Sequence, residues 1–297
     1  MVLKQLEYLV ALDRERHFGR AAAAARVSQP TLSAAIAALE AELGIALVER
    51  GRRFQGFTAE GMTVLAWARR MLADRDAMRQ DISRLKRELS GQLRIGAIPT
   101  ALPIIALITD PFLEKHPLAR LSVLSRTSSE IQGALVRYEL DVGVTYLDYE
   151  LMSQVRTIPL YRERYALLTG DGILPPGRTA IGWAEAAGLP LCLLTPDMQN
   201  RRILDDAFRS VGAMPNLRFE TNSVSALIGQ VRSGRLASIL PRHFLTLTGL
   251  PEGVRAVPLT EPEIERRVGL AILDREPLPP MLHAFLDSVR DAKLPAL

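Results

Sequence analysis

Apolar residues recur at helical spacing from the start of the chain, with Leu3, Leu6, Leu9 and Val10 over residues 3–13 and Phe18, Ala21, Ala22 and Ala25 over 18–26. This pattern predicts two short amphipathic helices. The second has almost only alanine on its inner side, which lets a neighbouring helix approach closely. Val27-Ser28 breaks the run: Ser28 is placed to cap a third helix, and Pro30 falls in the first turn, where its missing N–H is not needed. Leu32, Ile36, Leu39 and Leu43 recur at i, i+4, i+7 and i+11 and face inward, and Gly44 supplies the stop. The opposite face carries Gln29, Ser33, Ala34 and Ala37, with Thr31 in the first turn. After Leu47–Arg50, two apolar-flanked segments around a Gly51-Arg52-Arg53 tip predict a hairpin wing that ends near Thr58.

From Ala59 to Leu89 there is no proline, and residues 64, 68, 71, 75, 78, 82, 85 and 89 are apolar except Arg75. Alternating spacings of four and three are those of a coiled-coil seam, so a helix about 45 Å long is expected to pair with a partner helix. Homodimerisation is the economical explanation; packing against its own C-terminal part is the alternative. Ser90-Gly91 marks a boundary. Beyond it, short apolar strands (93–98, 121–124, 141–145, 191–194, 219–221, 238–240) alternate with helical stretches, which predicts α/β architecture with largely parallel sheets. In such sheets ligands bind beyond the carboxyl ends of strands, at helix N-termini. The loops there carry Pro99-Thr100, Arg126-Thr127-Ser128-Ser129, Tyr146, residues 196–200 and Asn222-Ser223.

Charge changes this picture only when divided along the chain. The net charge of +4 lies wholly in residues 1–90, with 15 Lys/Arg against 11 Asp/Glu, while the remainder balances at 22 each. A nucleic-acid-binding module joined to a neutral domain has this distribution, although a solvated surface would too. Lys4, Glu7 and Asp13 interrupt the early apolar positions, so no secretory signal is recognised, and no run approaches the ~18 apolar residues of a membrane span. A cytoplasmic protein is expected. The one cysteine, Cys192, lies in an apolar run and reads as a buried strand residue rather than a redox sensor. The four histidines have no metal-ligand spacing, and no nucleophile elbow, P-loop or dinucleotide fingerprint occurs, so neither an enzyme nor a cofactor is expected.

In a helix-turn-helix the N-terminal part of the second motif helix enters the major groove. There Gln29 can pair with adenine, and Ser28, Thr31 and Ser33 can bond base edges or phosphates. Arg52 and Arg53 at the wing tip suit phosphates or a narrow minor groove. Phe18-Gly19-Arg20-Ala21-Ala22, Val27-Ser28-Gln29-Pro30-Thr31-Leu32-Ser33, Leu39-Glu40, Leu43-Gly44 and Phe57-Thr58-Ala59-Glu60-Gly61 together resemble the DNA-binding signature of LysR-type transcriptional regulators. His17, Val48 and Ala34 depart from that pattern, and Ala34 removes a longer polar contact.

The resemblance implies a winged helix-turn-helix over 1–58, a linker and dimerisation helix over 59–90, and a bilobal effector domain over 91–297 that resembles periplasmic binding proteins. Its lobes would be 92–160 plus 268–297, and 161–267. It further implies a regulator of inverted-repeat promoter DNA, assembled as a dimer or tetramer and able to contact RNA polymerase, with DNA-binding residues Ser28, Gln29, Pro30, Thr31, Ser33, Arg52 and Arg53. Carried across by position, Pro99, Thr100, Thr127, Ser128, Tyr146, Met198 and Asn200 would hold the effector. The effector domain resembles those of the cyanate-responsive and formate dehydrogenase operon regulators, which implies a small anion. A solute-binding module or a bilobal enzyme is the alternative reading, but neither has use for the N-terminal motif.

Overall fold

A computed structural model describes residues 1–49, 54–85, 89–148 and 154–292. The chain divides into two compact units, Met1–Leu89 and Ser90–Leu297.

In the first unit, α1 (Leu3–Glu15), α2 (Phe18–Ala24), α3 (Gln29–Leu43) and the early turns of α4 (Ala59–Leu85) enclose Leu6, Leu9, Leu12, Leu32, Ile36, Leu39 and Leu65. Ala21 and Ala22 are buried where α2 meets its neighbours, as small side chains at a close crossing must be. His17 caps α2: its Nδ1 accepts the backbone N–H groups of Gly19 at 3.0 Å and Arg20 at 3.3 Å, so the departure at this position keeps the capping role. Gly44, at φ 68°, ends α3 in the left-handed conformation. Leu43, in the last turn of α3, was expected to face inward but is exposed, because the core of this unit stops at Leu39 and resumes only at Leu47. The wing hairpin is present as a Val48–Phe57 antiparallel bridge, with the Glu49 N–H donating to the Gly56 carbonyl at 3.0 Å. Its tip, with Arg52 and Arg53, lies outside the described residues.

Over its 27 residues α4 shows two faces of different fate. Val64, Leu65, Ala68 and Leu72 pack into the core of the first unit. Further along, Met71, Met78, Ile82 and Leu85 are exposed. Arg75 leaves the seam for ion pairs with Glu7 and Asp76. The seam read from spacing is thus divided: its first turns cover the winged unit, Met71, Met78, Ile82 and Leu85 stay uncovered, and Leu89, beyond the helix as described, is buried. Between the two faces, Asp13 of α1 and Arg69 of α4 form a buried salt bridge, each side chain 9% exposed.

The second unit starts with β1 (Gly91–Ala97), a 3-10 helix at Pro99–Ile104, α5 (Ile105–Lys115), β2 (Ala119–Ser125), α6 (Ser128–Val136) and β3 (Val142–Tyr146). Next come β4 (Val155–Gly170), β5 (Ile181–Gly182), α7 (Trp183–Ala187), β6 (Leu191–Leu194), α8 (Gln199–Ser210), β7 (Leu217–Thr221) and α9 (Val224–Arg232). The unit ends with β8 (Ser238–Pro241), α10 (Arg242–Thr248), β9 (Val254–Thr260), β10 (Glu265–Leu273) and α11 (Pro280–Asp291). The main sheet runs β2-β1-β3-β10-β4-β9-β5, with β8 also on β4, and β6 and β7 form a separate parallel pair.

The sheets are mixed rather than largely parallel. β4 pairs antiparallel with β10 through Val155–Arg164 and then with β8 and β9 through Tyr165–Gly170. One 16-residue strand therefore belongs to both lobes and changes partners between Arg164 and Tyr165. Parallel pairing is confined to the ends, as β1 with β2 and β3, β5 with β9, and β6 with β7. Among the described residues no helix is long and apolar enough to cross a membrane.

Candidate nucleic-acid interface and effector cleft

The first turn of α3 presents a surface made by its sequence. Ser28 is the cap: its Oγ accepts the Thr31 N–H at 3.3 Å and lies 2.8 Å from the Thr31 hydroxyl. Pro30 sits in the first turn without breaking a bond. Ser28, Gln29, Pro30, Thr31 and Ser33 are all exposed, whereas Leu32, Ile36 and Leu39 on the other side are buried. The outer face therefore offers short polar groups on a firmly packed helix. Glu40 fastens the start of the wing from behind, its Oε1 accepting the Leu47 and Val48 N–H groups at 2.7 and 3.1 Å.

In the second unit the structure brings all seven residues from the strand-end loops to one small cavity. Pro99, Thr100, Thr127, Ser128, Tyr146, Met198 and Asn200 line it, together with Ile98, Leu194 and Gln199. Its free volume is about 10 Å³, near the minimum that holds one water. Two helices begin at its wall. The N-terminus of α6 is closed by a capping box, in which Thr127 Oγ1 accepts the Glu130 N–H and Glu130 accepts the Thr127 N–H. That of α8 starts at Met198 with no side-chain cap, which leaves a partial positive charge facing the cleft. Arg126, Asn222 and Ser223 do not line the cavity. Arg201 bonds Asp205, Glu220 and the Leu194 carbonyl, while Arg202 bonds Gln199 and the Asp197 carbonyl, so neither presents a guanidinium to the cavity.

Behind the cavity lies a buried polar network centred on Glu163 of β4, which is fully buried. Its carboxyl accepts the hydroxyls of Tyr146 at 2.8 Å, Tyr161 at 3.2 Å and Tyr165 at 3.5 Å. The Tyr146 hydroxyl also lies 3.4 Å from Thr100 Oγ1 and accepts Asn200 Nδ2–H at 3.3 Å. Burial pushes the Glu163 carboxyl up to about 8, against the lowering effect of the three hydroxyls. His243 Nε2 stands 3.8 Å away and donates to the Thr100 carbonyl at 3.2 Å; burial pushes this imidazole down to about 4, so it is neutral and supplies no counter-charge. Two buried polar atoms here have no partner, Asn200 Oδ1 and His243 Nδ1.

Reading the sequence for strand-end loops overlooks this network, although a signal exists. In Tyr161-Arg162-Glu163-Arg164-Tyr165 the period of two puts Tyr161, Glu163 and Tyr165 on one face of a strand and both arginines on the other. Cys192 is buried in β6, and burial pushes its thiol up to about 11. Among the described residues no cluster of three His, Cys, Asp or Glu is arranged to hold a metal ion.

A winged helix-turn-helix with an exposed polar helix face, joined in one chain to a two-lobed α/β unit, is the architecture of a DNA-binding transcriptional regulator with an effector domain. Residues 3–62 match the family model of the bacterial regulatory helix-turn-helix protein, lysR family, and residues 86–293 match that of the LysR substrate binding domain. The chain belongs to the LysR family of transcriptional regulators, which bind DNA and small-molecule effectors and form oligomers. It is 30% identical over 291 residues to the DNA-binding transcriptional dual regulator OxyR of Escherichia coli K12, covering 98% of this chain and 95% of that one. To the hydrogen peroxide-inducible genes activator of Haemophilus influenzae it is 29% identical, covering 94% and 92%. A cysteine-to-aspartate variant of full-length OxyR from Pseudomonas aeruginosa superposes with a TM-score of 0.77 at 27% identity, covering 99% and 96%.

Proposed function

We propose that this regulator reads an inverted-repeat promoter site in the cytoplasm with Ser28, Gln29, Pro30, Thr31 and Ser33 in the major groove. Arg52 and Arg53 contact the backbone or minor groove beside it. The observation that carries this reading is the exposure of all five residues at the cap and start of a helix whose other face is fixed in the core. Residues 1–58 form the reading domain, 59–90 the dimerisation helix and 91–297 the effector domain, with lobes at 92–160 plus 268–297 and at 161–267. The exposed Met71, Met78, Ile82 and Leu85 on α4 are the face that a second copy covers, and a tetramer is built from such dimers. Contact with RNA polymerase follows from the same promoter placement.

For the effector, the cavity lined by Pro99, Thr100, Thr127, Ser128, Tyr146, Met198 and Asn200 takes a small anion of the size of cyanate or formate. The uncapped N-terminus of α8 supports this, and the cavity, with room for about one water, needs the least opening for the smallest ions. Its relatives' names suggest hydrogen peroxide instead. Within these 297 residues, however, the single cysteine has no partner for an intrachain disulfide, and its buried, weakly acidic thiol is unsuited to attack.

Gel shifts with the promoter upstream of its own gene test the DNA reading. Gln29→Ala is expected to lose about 1–3 kcal/mol of discrimination between specific and competitor DNA, and Arg53→Ala to weaken both and lower the salt dependence. Binding unchanged in both variants would overturn the assignment. A thermal-shift screen of small anions on the full chain tests the cleft, where saturation at 100 times Kd raises stability by about 2.7 kcal/mol.

A further inference from the structure

The Tyr146 hydroxyl touches both the effector cavity and the buried carboxyl of Glu163. On the cavity side it meets Thr100 and Asn200, and on the other it lies 2.8 Å from Glu163 Oε2. Glu163 stands where β4 passes from one lobe to the other, one residue before the strand exchanges β10 for β8 and β9. The groups that reach its carboxyl are uncharged: Tyr161 and Tyr165 on its own strand, Tyr146 on β3 and the neutral His243 on α10. Arg266 on β10 is in register opposite, but its guanidinium bonds the Glu265 carbonyl at 2.9 Å. Arg162 and Arg164, on the other side of β4, bond Glu265. Among the described residues no lysine or arginine pairs with Glu163.

We infer that the charge of the effector and the proton on Glu163 are coupled through Tyr146, so that the cleft takes up a small monoanion together with one proton and rejects it when Glu163 is ionised. This inference rests on the cleft reading proposed above. Two physical arguments carry it. An anion against Thr100 and Asn200 would share a dry region with an ionised Glu163, with no ion-paired cation on either and one phenol between them, and like charges so placed do not coexist cheaply. The hydrogen-bond directions agree. An ionised Glu163 claims the phenolic proton, so Tyr146 turns a lone pair to the cavity and opposes an anion there. A protonated Glu163 donates its own O–H to the phenol oxygen, which frees the Tyr146 hydrogen to point at the ligand. The carboxyl, raised by burial to about 8, makes this exchange accessible near neutrality. Glu163 is thus a positioning residue that sets the charge class of the effector without touching it.

The test is calorimetric titration of the full chain with formate and cyanate, and with hydrogen peroxide as the neutral probe, at pH 7, 8 and 9. Wild-type affinity for the anions is expected to fall about tenfold between pH 7 and 9. At pH 8, paired buffers of different ionisation enthalpy should report uptake of about half a proton per site. Glu163→Gln should bind the anions with the pH 7 affinity at all three values and take up no proton. Tyr146→Phe, which removes the hydrogen-bond route and leaves the electrostatic one, should bind them weakly with a smaller pH dependence than the wild type. Peroxide binding, where present, should be independent of pH in all forms. Anion binding with flat affinity and no proton uptake in the wild type would overturn the coupling and leave the cleft reading standing. No anion binding at any pH would overturn both.

Discussion

Asp13 and Glu163 are both buried carboxylates, one in each unit of the chain, and their surroundings are opposite. Asp13 meets the Arg69 guanidinium in a buried pair and has Arg16 Nη2 at 3.1 Å on its outer side. Glu163 meets three phenols and a neutral imidazole. A charge buried with its counter-charge is a fastening: it ties α1 to α4. A carboxyl buried without one gives up its charge instead, and a group that has two protonation states within reach of physiological pH is able to respond.

The difference is measurable in stability. The largest effect is expected for Asp13→Ala, which leaves Arg69 buried beside an empty position and should cost about 3–5 kcal/mol in denaturant unfolding of the first unit. A loss under 1 kcal/mol would mean that the pair is no fastening. Next comes pH. Glu163, raised above its usual carboxylate range, keeps its proton in the folded state up to about 8 while the unfolded chain releases it near 4.5, so this group makes stability fall as pH rises between those values. His243, lowered to about 4, has the opposite sign and makes stability rise with pH up to 6.5. The two slopes cancel between about 4.5 and 6.5. From 6.5 to 8 the glutamate acts alone, and the melting profile of the second unit should show a loss of about 2 kcal/mol over that window. A profile that rises there would show Glu163 to be ionised and paired.

Tyr161→Phe removes one hydroxyl from the carboxyl and should cost about 1 kcal/mol while moving that window to higher pH. Smallest of all, Glu163→Gln at pH 7 replaces a group that is already mostly neutral and should change stability by less than about 1 kcal/mol. A penalty comparable with that of Asp13→Ala would erase the contrast between the two sites.

What could be read from the sequence follows the range of the interactions. The helix-turn-helix announces itself because its stripe, its Ser28 cap and its Gly44 stop lie within a few residues of one another. The loops around the cleft were found because each follows a short apolar strand, and their seven named residues do meet at one cavity. The mixed sheet is not legible locally because the partners of β4 in β8, β9 and β10 lie about 70 to 120 residues further on, and no local pattern records which strand pairs with which. For the same reason the Asp13–Arg69 pair, 56 residues apart, is silent in the sequence. Glu163 carries no local motif: Tyr-Arg-Glu-Arg-Tyr is a charged segment by composition, and only the strand period assigns its central carboxyl to the inside.

The cleft around Tyr146, with about 10 Å³ free, also bears on timing. Anything larger than a water enters only when the surrounding loops part, so the rate of opening, rather than diffusion, governs both arrival and escape. With its effector bound there as proposed, such a regulator would average over brief fluctuations in its signal. Once filled, it holds a record of the exposure after the surroundings have changed, and the genes under its control would follow the history of the effector as well as its present level.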